Sequence, residues 1–381
     1  MLRGKYNTWW KYYRARLQRF LLRGMIRPLM HWGPMDQPSP GYTIVVACHA
    51  RFPGMLIASL RLLAKQELIN LDRVIVAFDA PRDETLVRAE RRMCDEFPQL
   101  RISCLYQTPL QSRILRAIGW GWVDCWLSYC KGIAEATTRY VMLHDMDAML
   151  LRPGLVEERY AAIRDRKDLF LGWGWYVGNG VRDSDKLAII VELMLDAAYL
   201  RGRFRPINLF NQVTFYNGVT VDLDTLLYPQ TATDRKSILP ISELEMVHPG
   251  QVISQFTYLV NKPGYIPPEG NNLIFIPYFL FLGGDSAVLT NFTEALSSSE
   301  PREVPFFGHR MDMTRLSVIH LKWVIKQTIR LENAVAGGVR PEVRQYLEAI
   351  RARCTSGPTA SLVPEVEAEI ARETELARPD R

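Results

Sequence analysis

Between Tyr42 and Asp147 the sequence alternates between short apolar runs and longer amphipathic stretches, and this pattern constrains the fold more than any other feature. Short apolar runs bounded by turn residues predict strands, and apolar residues spaced three or four apart predict helices. The predicted strands are 43–48, 73–78, 102–106 and 140–144, and the helices between them are 53–66, 83–97 and 122–137. Alternating strands and helices build a mostly parallel sheet with helices on both faces. We therefore predict an α/β fold with a Rossmann-like, mixed but mostly parallel sheet in a single large domain.

The composition is that of a folded protein with a strongly basic N-terminus. The chain has 381 residues, 48% of them hydrophobic, which is enough to bury a sizeable core. Residues 1–35 hold eight Arg or Lys and no Asp or Glu, so a whole-chain net charge of +6 becomes −2 for the remaining residues. Because the basicity is local, no nucleic-acid-binding surface is indicated, and we expect no nucleic-acid partner.

Residues 1–32 combine aromatic residues and leucines with cations at roughly helical spacing. Trp and Tyr favour the membrane–water interface, and Arg and Lys favour anionic head groups. This pattern predicts an amphipathic helix that lies in the plane of an anionic membrane surface. The alternative is a helix that packs on the protein's own surface or on a partner.

Targeting signals and cysteines indicate where such a protein would act. Arg19, Arg23 and Arg27 interrupt the N-terminal apolar runs, so no signal peptide is predicted. No run reaches the ~18 apolar residues of a membrane span. The six cysteines show no metal-binding or redox spacing, as is typical of a reducing compartment. We expect a cytoplasmic protein attached peripherally to the inner face of the membrane.

After Pro153 the alternation weakens. Segments 169–171 and 219–223 resemble strands that extend the sheet, and 273–282 resembles a core strand. A strand and then a helix are expected over 316–333, another helix over 340–354, and a solvated tail from Thr355. The expected division is a basic segment and linker at 1–40, a nucleotide-binding half at 41–153, an acceptor-binding half at 154–330 and a helical extension at 331–381.

Two aspartates follow the fourth predicted strand directly. Asp145 and Asp147 are separated by one residue, at the point where the run 140–144 ends in a loop. In open parallel sheets, ligands bind at the carboxyl ends of the strands. Carboxylate oxygens are the ligands that Mg²⁺ and Mn²⁺ prefer, and such a cation can also hold a diphosphate. Asp79 and the loop 47–51 follow two other strands and are expected at the same edge.

These features together resemble the GT-A glycosyltransferases, over residues 42–325. The first strand, Thr43 to His49, ends in a loop of small residues, and the second ends in Asp79. The helix 129–138 leads directly into 139–147, which carries the Asp-x-Asp pair. The resemblance implies transfer of a sugar from a UDP- or GDP-linked donor to a glycan or lipid-linked acceptor at the membrane.

The resemblance also implies roles for individual residues. Asp145 and Asp147 would hold Mn²⁺ or Mg²⁺ against the diphosphate of the donor. A late histidine often supplies a third metal ligand in this family. His320, which we interpret as part of a strand, is the candidate, and His309 is its rival. Lys322, two residues on and on the same face of such a strand, would meet phosphate. Contacts with base and ribose would come from Ala47, Cys48, His49, Arg51 and Asp79.

The acceptor side is less defined. An inverting transferase needs a carboxylate to take a proton from the acceptor hydroxyl. Gln251 stands where the family usually has that acid, so Glu245 and Glu243 are the candidate catalytic bases; a retaining transferase would need neither. The glycine- and aromatic-rich segment 171–180 is a candidate sugar platform, as are Trp120 and Trp122, the alternative being structural packing.

Three other functions remain open. A HAD-like phosphohydrolase also places Asp-x-Asp after an apolar strand, with the first aspartate as nucleophile, but the residues that follow and the three preceding strand–helix units fit it poorly. A sugar-phosphate nucleotidyltransferase would need a Gly-rich basic loop after the first strand, of which 48–54 supplies fragments. The third is a non-catalytic membrane-recruited protein with a GT-A fold.

Overall fold

The computed structural model describes residues 3–174, 187–240, 243–262, 264–265, 271–298, 303–313 and 318–355. The expectations for 175–180, for 314–317 and for the tail beyond 355 lie outside these residues. The chain forms two compact units. The first comprises Met1–Pro53, Ala64–Ala148 and Pro153–Glu243, and the second Gly54–Leu63, Met149–Arg152 and Leu244–Arg381.

The strands follow in chain order: β1 (Ser39–Cys48), β2 (Leu71–Phe78), β3 (Ser103–Leu105), β4 (Thr138–Asp145), β5 (Met149–Leu150), β6 (Phe170–Trp173), β7 (Leu193–Asp196), β8 (Gln212–Tyr216), β9 (Val219–Leu223), β10 (Lys236–Leu239), β11 (Met246–Val247), β12 (Glu303–Phe306) and β13 (His309–Asp312).

The helices, also in chain order, are α1 (Trp9–Ile26), α2 (Pro53–Leu63), α3 (Glu84–Glu96), α4 (Pro109–Ile118), α5 (Gly121–Glu135), α6 (Leu155–Arg166), α7 (Ala197–Arg203), α8 (Pro206–Leu209), α9 (Leu227–Gln230), α10 (Val252–Asn261), α11 (Phe275–Leu282), α12 (Ser286–Ser298), α13 (Val318–Ala336) and α14 (Pro341–Thr355).

A seven-stranded sheet in the order β10-β6-β7-β4-β1-β2-β3 is the centre of the first unit. β1 runs parallel to β2 and to β4, and β2 runs parallel to β3. β10 runs parallel to β6, whereas β7 is antiparallel to both β4 and β6. The prediction of a mixed, mostly parallel α/β sheet is therefore confirmed. As expected, the residues after Pro153 add strands to it, although β9 pairs with β8 in a separate hairpin.

Helices cover both faces of this sheet. Val141 of β4 belongs to the apolar cluster that includes Trp126 of α5, whereas the ring of Tyr140 lies 5.7 Å from that of Tyr160 in α6. Because neighbouring residues of a strand point to opposite faces, α5 and α6 lie on opposite sides of the sheet. α5 approaches closely because Gly132 has no side chain: a Cβ there would lie 2.2 Å from Cγ1 of Val45 in β1.

The predicted N-terminal helix is present as α1, and one face of it packs on the first unit. Tyr12 is 1% exposed and its ring lies 4.9 Å from Phe215 of β8. Arg19 binds the carboxylate of Asp222 in β9 at 3.2 Å, and Arg23 donates to the carbonyl of Phe210 at 2.9 Å. This face of α1 thus packs on the protein's own surface, as the alternative to a membrane-bound helix predicted. The rest of α1 is exposed to solvent. None of the described helices combines the length and apolar character needed to cross a bilayer.

The second unit is mainly helical. Its strands form two short antiparallel pairs, β5 with β11 and β12 with β13. α2 and the end of α11 meet without side chains between them, because a Cβ at Gly283 would lie 2.1 Å from the carbonyl oxygen of Gly54. Glu332 of α13, fully buried, pairs with Arg340 at 2.6 Å and accepts a hydrogen bond from Tyr278 of α11 at 3.0 Å. These contacts bind α11, α13 and the segment leading into α14 together.

Two predictions for this unit are wrong. The run 273–282 forms α11, preceded by a 3-10 turn, rather than a strand. Every residue of α11 is buried, so the run lacks the polar face that would have distinguished helix from strand. The residues that flank His320, interpreted as a strand, belong to α13 instead.

In the first unit, the sequence prediction missed α4, which begins with a capping box between Thr108 and Gln111.

Candidate active site

The carboxyl ends of β1, β2 and β4 lie side by side in the sheet. Ala47 of β1 pairs with Asp145 of β4, and Cys48 pairs with Phe78 of β2. Asp79 directly follows Phe78, and Asp147 follows β4 by two residues. This edge therefore gathers most of the polar residues that the sequence placed at the donor site.

The loop after β1 is held by Asp79. The Oδ1 atom of Asp79 accepts a hydrogen bond from the Ala50 amide at 2.7 Å, and the Asp79 amide donates to the carbonyl of Cys48 at 3.1 Å. Nε2 of His49 lies 3.8 Å from Oδ2 of Asp79, and the His49 amide donates to Sδ of Met146 at 3.2 Å. Arg51 is exposed. The loop, Asp79 and the Asp-x-Asp segment thus form one connected arrangement.

Cys48 differs from its neighbours in the loop because its side chain is buried, 2% exposed. Burial raises the pKa of the Cys48 thiol well above its ordinary value, so the sulfur remains protonated. A ligand at this edge would therefore meet the backbone of Cys48, not a thiolate.

The two aspartates are the acidic part of a candidate metal site. Asp145 is the last residue of β4 and Asp147 is 6% exposed. The Ala148 amide donates to the Asp145 carbonyl at 3.0 Å and closes the turn that contains Asp147. The hydroxyl of Tyr129, from α5, donates to Oδ1 of Asp145. Burial raises the pKa of Tyr129 well above its ordinary value, and the charge of Asp145 adds to this, so the phenol keeps the proton that it donates.

A buried ionic network lies directly behind the acidic pair. His144, the residue before Asp145, contacts Glu192 through Nδ1, and both side chains are fully buried. The second oxygen of Glu192 binds Arg159 of α6 at 3.1 Å, and the guanidinium lies 5.3 Å from the ring of Trp173. The network joins β4 to α6 and to the residue that precedes β7.

Two further polar residues at this edge were missed by the sequence prediction. Asp124 lies in the first turn of α5, and Nε2 of Gln107 donates to its Oδ1 at 3.0 Å. Burial raises the pKa of Asp124 to about 6, the hydrogen bond from Gln107 lowers it, and the charge of Asp79 raises it further. Neither residue belongs to a local motif, because the pair forms only when α5 packs beside the loop after β3.

In the second unit, Val247 of β11 pairs with Met149 of β5. No pattern in the sequence indicated this pairing, since the two segments are far apart in the chain.

The predicted catalytic carboxylates both precede β11 in the chain. Glu245 directly precedes β11; its carboxylate binds Arg152 at 3.1 Å, and its carbonyl accepts from the Leu151 amide at 2.9 Å. Glu243 lies in an exposed turn. Gln251 has a left-handed backbone (φ 54°) and precedes α10, where its carbonyl accepts from the Gln255 amide.

His320 occupies a different setting from the one expected. His320 and Lys322 lie in α13, and residues two apart on a helix do not share a face, so the expected common strand face is wrong. The ring of His320 stacks on Trp323 with centroids 5.6 Å apart, and burial lowers its pKa below the ordinary value. His309 begins β13. Among the described residues, the group of candidate metal ligands contains neither histidine. A role of either as a ligand stays a prediction.

The sequence matches no known protein-family model and no curated protein. The structure is similar to the mannosyltransferase PcManGT from Pyrobaculum calidifontis, solved with GDP-Man and Mn²⁺, with 14% identity and a TM-score of 0.36 over 97% of this chain and 96% of that one. It is similar to S. aureus TarS, with 14% identity and a TM-score of 0.34 over 88% of this chain; the match spans 54% of TarS. It is also similar to the galactosyltransferase LgtC, solved with donor and acceptor sugar analogues, with 14% identity and a TM-score of 0.32 over 44% of this chain and 62% of that one. Because these scores are low, the function proposed below rests on the residues of the site.

Proposed function

We propose that this chain is a metal-dependent GT-A glycosyltransferase that takes its sugar from a UDP- or GDP-linked donor. The observation that carries the proposal is the position of Asp145 and Asp147. Asp145 ends the central strand β4 and Asp147 lies two residues further on, at the edge where the β1 loop and Asp79 also lie. An acidic pair at the carboxyl edge of a parallel sheet suits a cation that holds the diphosphate of a nucleotide.

The ligand atoms of the acidic pair fit Mn²⁺ or Mg²⁺. Asp145 and Asp147 supply carboxylate oxygens, the ligands that both cations prefer. When bound, the cation would supply positive charge that stabilises the departing nucleoside diphosphate.

The remaining residues of the edge would bind the nucleoside. The β1 loop presents backbone groups and His49, and its connection to Asp79 keeps it close to the acidic pair. Arg51, exposed at the end of this loop, would contribute positive charge to a phosphate. Glu245 remains the proposed base for the acceptor hydroxyl, with Glu243 as the substitute. The ion pair with Arg152 orients the carboxylate of Glu245.

The first test is the thermal stability of the protein with Mn²⁺ and a panel of UDP, GDP, CMP and their sugar-linked forms. We expect a nucleoside diphosphate to raise Tm when Mn²⁺ is present and to have little effect after chelation. A ligand at 100 times its Kd stabilises a protein by about 2.7 kcal/mol, which is readily detected.

The same panel separates the alternatives. Turnover of a phosphate ester without nucleotide would favour a phosphohydrolase. Release of pyrophosphate from a nucleoside triphosphate and a sugar phosphate would favour a nucleotidyltransferase. Absence of a response to every nucleotide, with and without metal, would overturn the glycosyltransferase proposal; if no phosphate ester is turned over either, the non-catalytic alternative is left.

We further propose that α1 attaches the enzyme to an anionic membrane surface, where a glycan or lipid-linked acceptor would be found. The solvent-exposed side of α1 carries large apolar side chains, with Trp10 74% and Phe20 70% exposed. The others are Trp9, Tyr13, Leu17, Leu21 and Met25, all more than half exposed. Lys11, Arg14 and Arg27 are also exposed on this helix and just beyond it. Aromatic residues flanked by cations, without acidic residues, are complementary to anionic lipid.

Exchanging Trp10, Leu17 and Phe20 for serine should release the protein from vesicles that contain anionic lipid. Each buried apolar side chain contributes about 1.5–3 kcal/mol when fully removed from water, so the triple variant should bind at least tenfold more weakly. Sedimentation with vesicles measures this. The variant is preferable to deletion of residues 1–32, since Tyr12 and Ile26 are part of the core.

A matched control exchanges three exposed apolar residues outside α1, Ile69, Leu110 and Leu244, for serine. This control should sediment with vesicles like the unaltered protein. If the α1 variant does so as well, the membrane proposal is wrong.

A further inference from the structure

The side chain of Tyr129 lies beneath the acidic pair. It belongs to α5, it is fully buried, and its hydroxyl donates to Oδ1 of Asp145. Its position depends on the close approach of α5 to the sheet. Gly132 lies three residues further along α5, on the same face of the helix, and a side chain there would collide with Val45. The glycine therefore allows the hydroxyl of a tyrosine one turn away to reach the end of β4.

A hydrogen bond to one oxygen restricts how a carboxylate can turn. Residues that bind metal ligands from behind orient them, and such partners typically affect metal affinity by 10–100-fold. Asp145 is the last residue of β4, and its pairing with Ala47 of β1 holds its backbone but not its carboxylate. The contact from Tyr129 anchors the carboxylate, because the tyrosine is itself fixed by the packing of α5.

We propose that Tyr129 is a positioning residue that orients the Asp145 carboxylate toward a divalent cation. The inference rests on the proposed function, since it assumes that Asp145 is a metal ligand. Tyr129 acts through Asp145 and touches neither the cation nor the substrate. Removing the hydroxyl of Tyr129 should change the affinity of the protein for metal while the fold is retained.

The test is the Tyr129→Phe variant, which keeps the ring and removes the hydroxyl. Mn²⁺ affinity is measured by calorimetry on the protein without nucleotide, and unfolding by denaturant shows that the variant folds. We expect Mn²⁺ to bind 10–100-fold more weakly. Because Tyr129 and Asp145 act as a unit, adding Tyr129→Phe to an Asp145→Asn background should change Mn²⁺ affinity much less than it does in the unaltered protein.

Tyr42→Phe is the matched control. Tyr42 is also a fully buried tyrosine at the sheet, and its hydroxyl donates to the carboxylate of Glu157 at 2.8 Å, outside the acidic edge. The Tyr42→Phe variant should lose about as much stability as the Tyr129→Phe variant and keep its Mn²⁺ affinity. If Tyr129→Phe binds Mn²⁺ as tightly as Tyr42→Phe and the unaltered protein, the positioning role is overturned while the metal site stands. If the unaltered protein binds no Mn²⁺, the metal site and the role of Tyr129 are overturned together.

Discussion

Replacing Asp147 or Asp145 by asparagine should abolish cation-assisted nucleotide binding and, with it, sugar transfer. Asparagine has the shape of aspartate but no charge, and each substitution would leave the candidate site with a single carboxylate. The expected loss of Mn²⁺ affinity exceeds the 10–100-fold that removal of an outer partner causes. Calorimetry with Mn²⁺, and then with Mn²⁺ and the nucleoside diphosphate that stabilises the unaltered protein, measures the effect.

Asp83→Asn is the matched control for this prediction. Asp83 caps α3 by accepting from the Leu86 amide at 2.8 Å, and asparagine caps a helix about as well as aspartate. The control should retain stability, metal affinity and nucleotide binding. Unchanged Mn²⁺-dependent binding in Asp145→Asn and Asp147→Asn would show that the pair is a turn without a metal role.

Replacing Glu192 by alanine should destabilise the first unit strongly. Glu192 is fully buried between His144 and Arg159, which are themselves 0% and 3% exposed. Removing one partner of a buried ion pair leaves the other charge without compensation and typically costs about 3–5 kcal/mol. That is a large part of the 5–15 kcal/mol by which most domains are stable. Urea unfolding followed by circular dichroism measures the change.

An exposed carboxylate provides the comparison. Asp165 pairs with Arg164 at 2.8 Å, but its side chain is 65% exposed. Surface pairs contribute about 0–1 kcal/mol, so Asp165→Ala should change the free energy of unfolding by no more than this. Equal, small effects of Glu192→Ala and Asp165→Ala would mean that the buried network contributes little to stability.

The strands in the first half of the fold were predictable because their signals are local. Each strand from β1 to β4 is a short apolar run, and parallel strands bring their carboxyl ends to one edge, which placed Asp79 beside the Asp-x-Asp pair. The second half lacks such a signal. α11 is apolar on all sides, and the apolar neighbours of His320 fit a helix as well as a strand. Periodicity alone does not separate these cases.

The residues that the sequence prediction missed are defined by contacts between distant segments. Glu192 reaches His144 across two antiparallel strands, and Gln107 reaches Asp124 between a loop and a helix. The pairing of β5 with β11 likewise joins two-residue strands that are about a hundred residues apart in the chain. Tyr129 resembles an ordinary core residue in the sequence, since its hydroxyl partner is 16 positions away and on another element.

The attachment of α1 to the first unit has a consequence for the choice of acceptor. Its Arg19 lies 4.4 Å from the ring of Trp120, the residue before α5, and Asp124 follows in the first turn of that helix. If the outer face of α1 rests on lipid, the sheet edge is held at a fixed distance from the bilayer, because α1 is packed on the first unit and is not joined to it by a flexible linker alone. An enzyme held this way would select acceptors by length. It would modify acceptors whose reactive hydroxyl lies at that distance from the bilayer, and it would not modify shorter or longer ones.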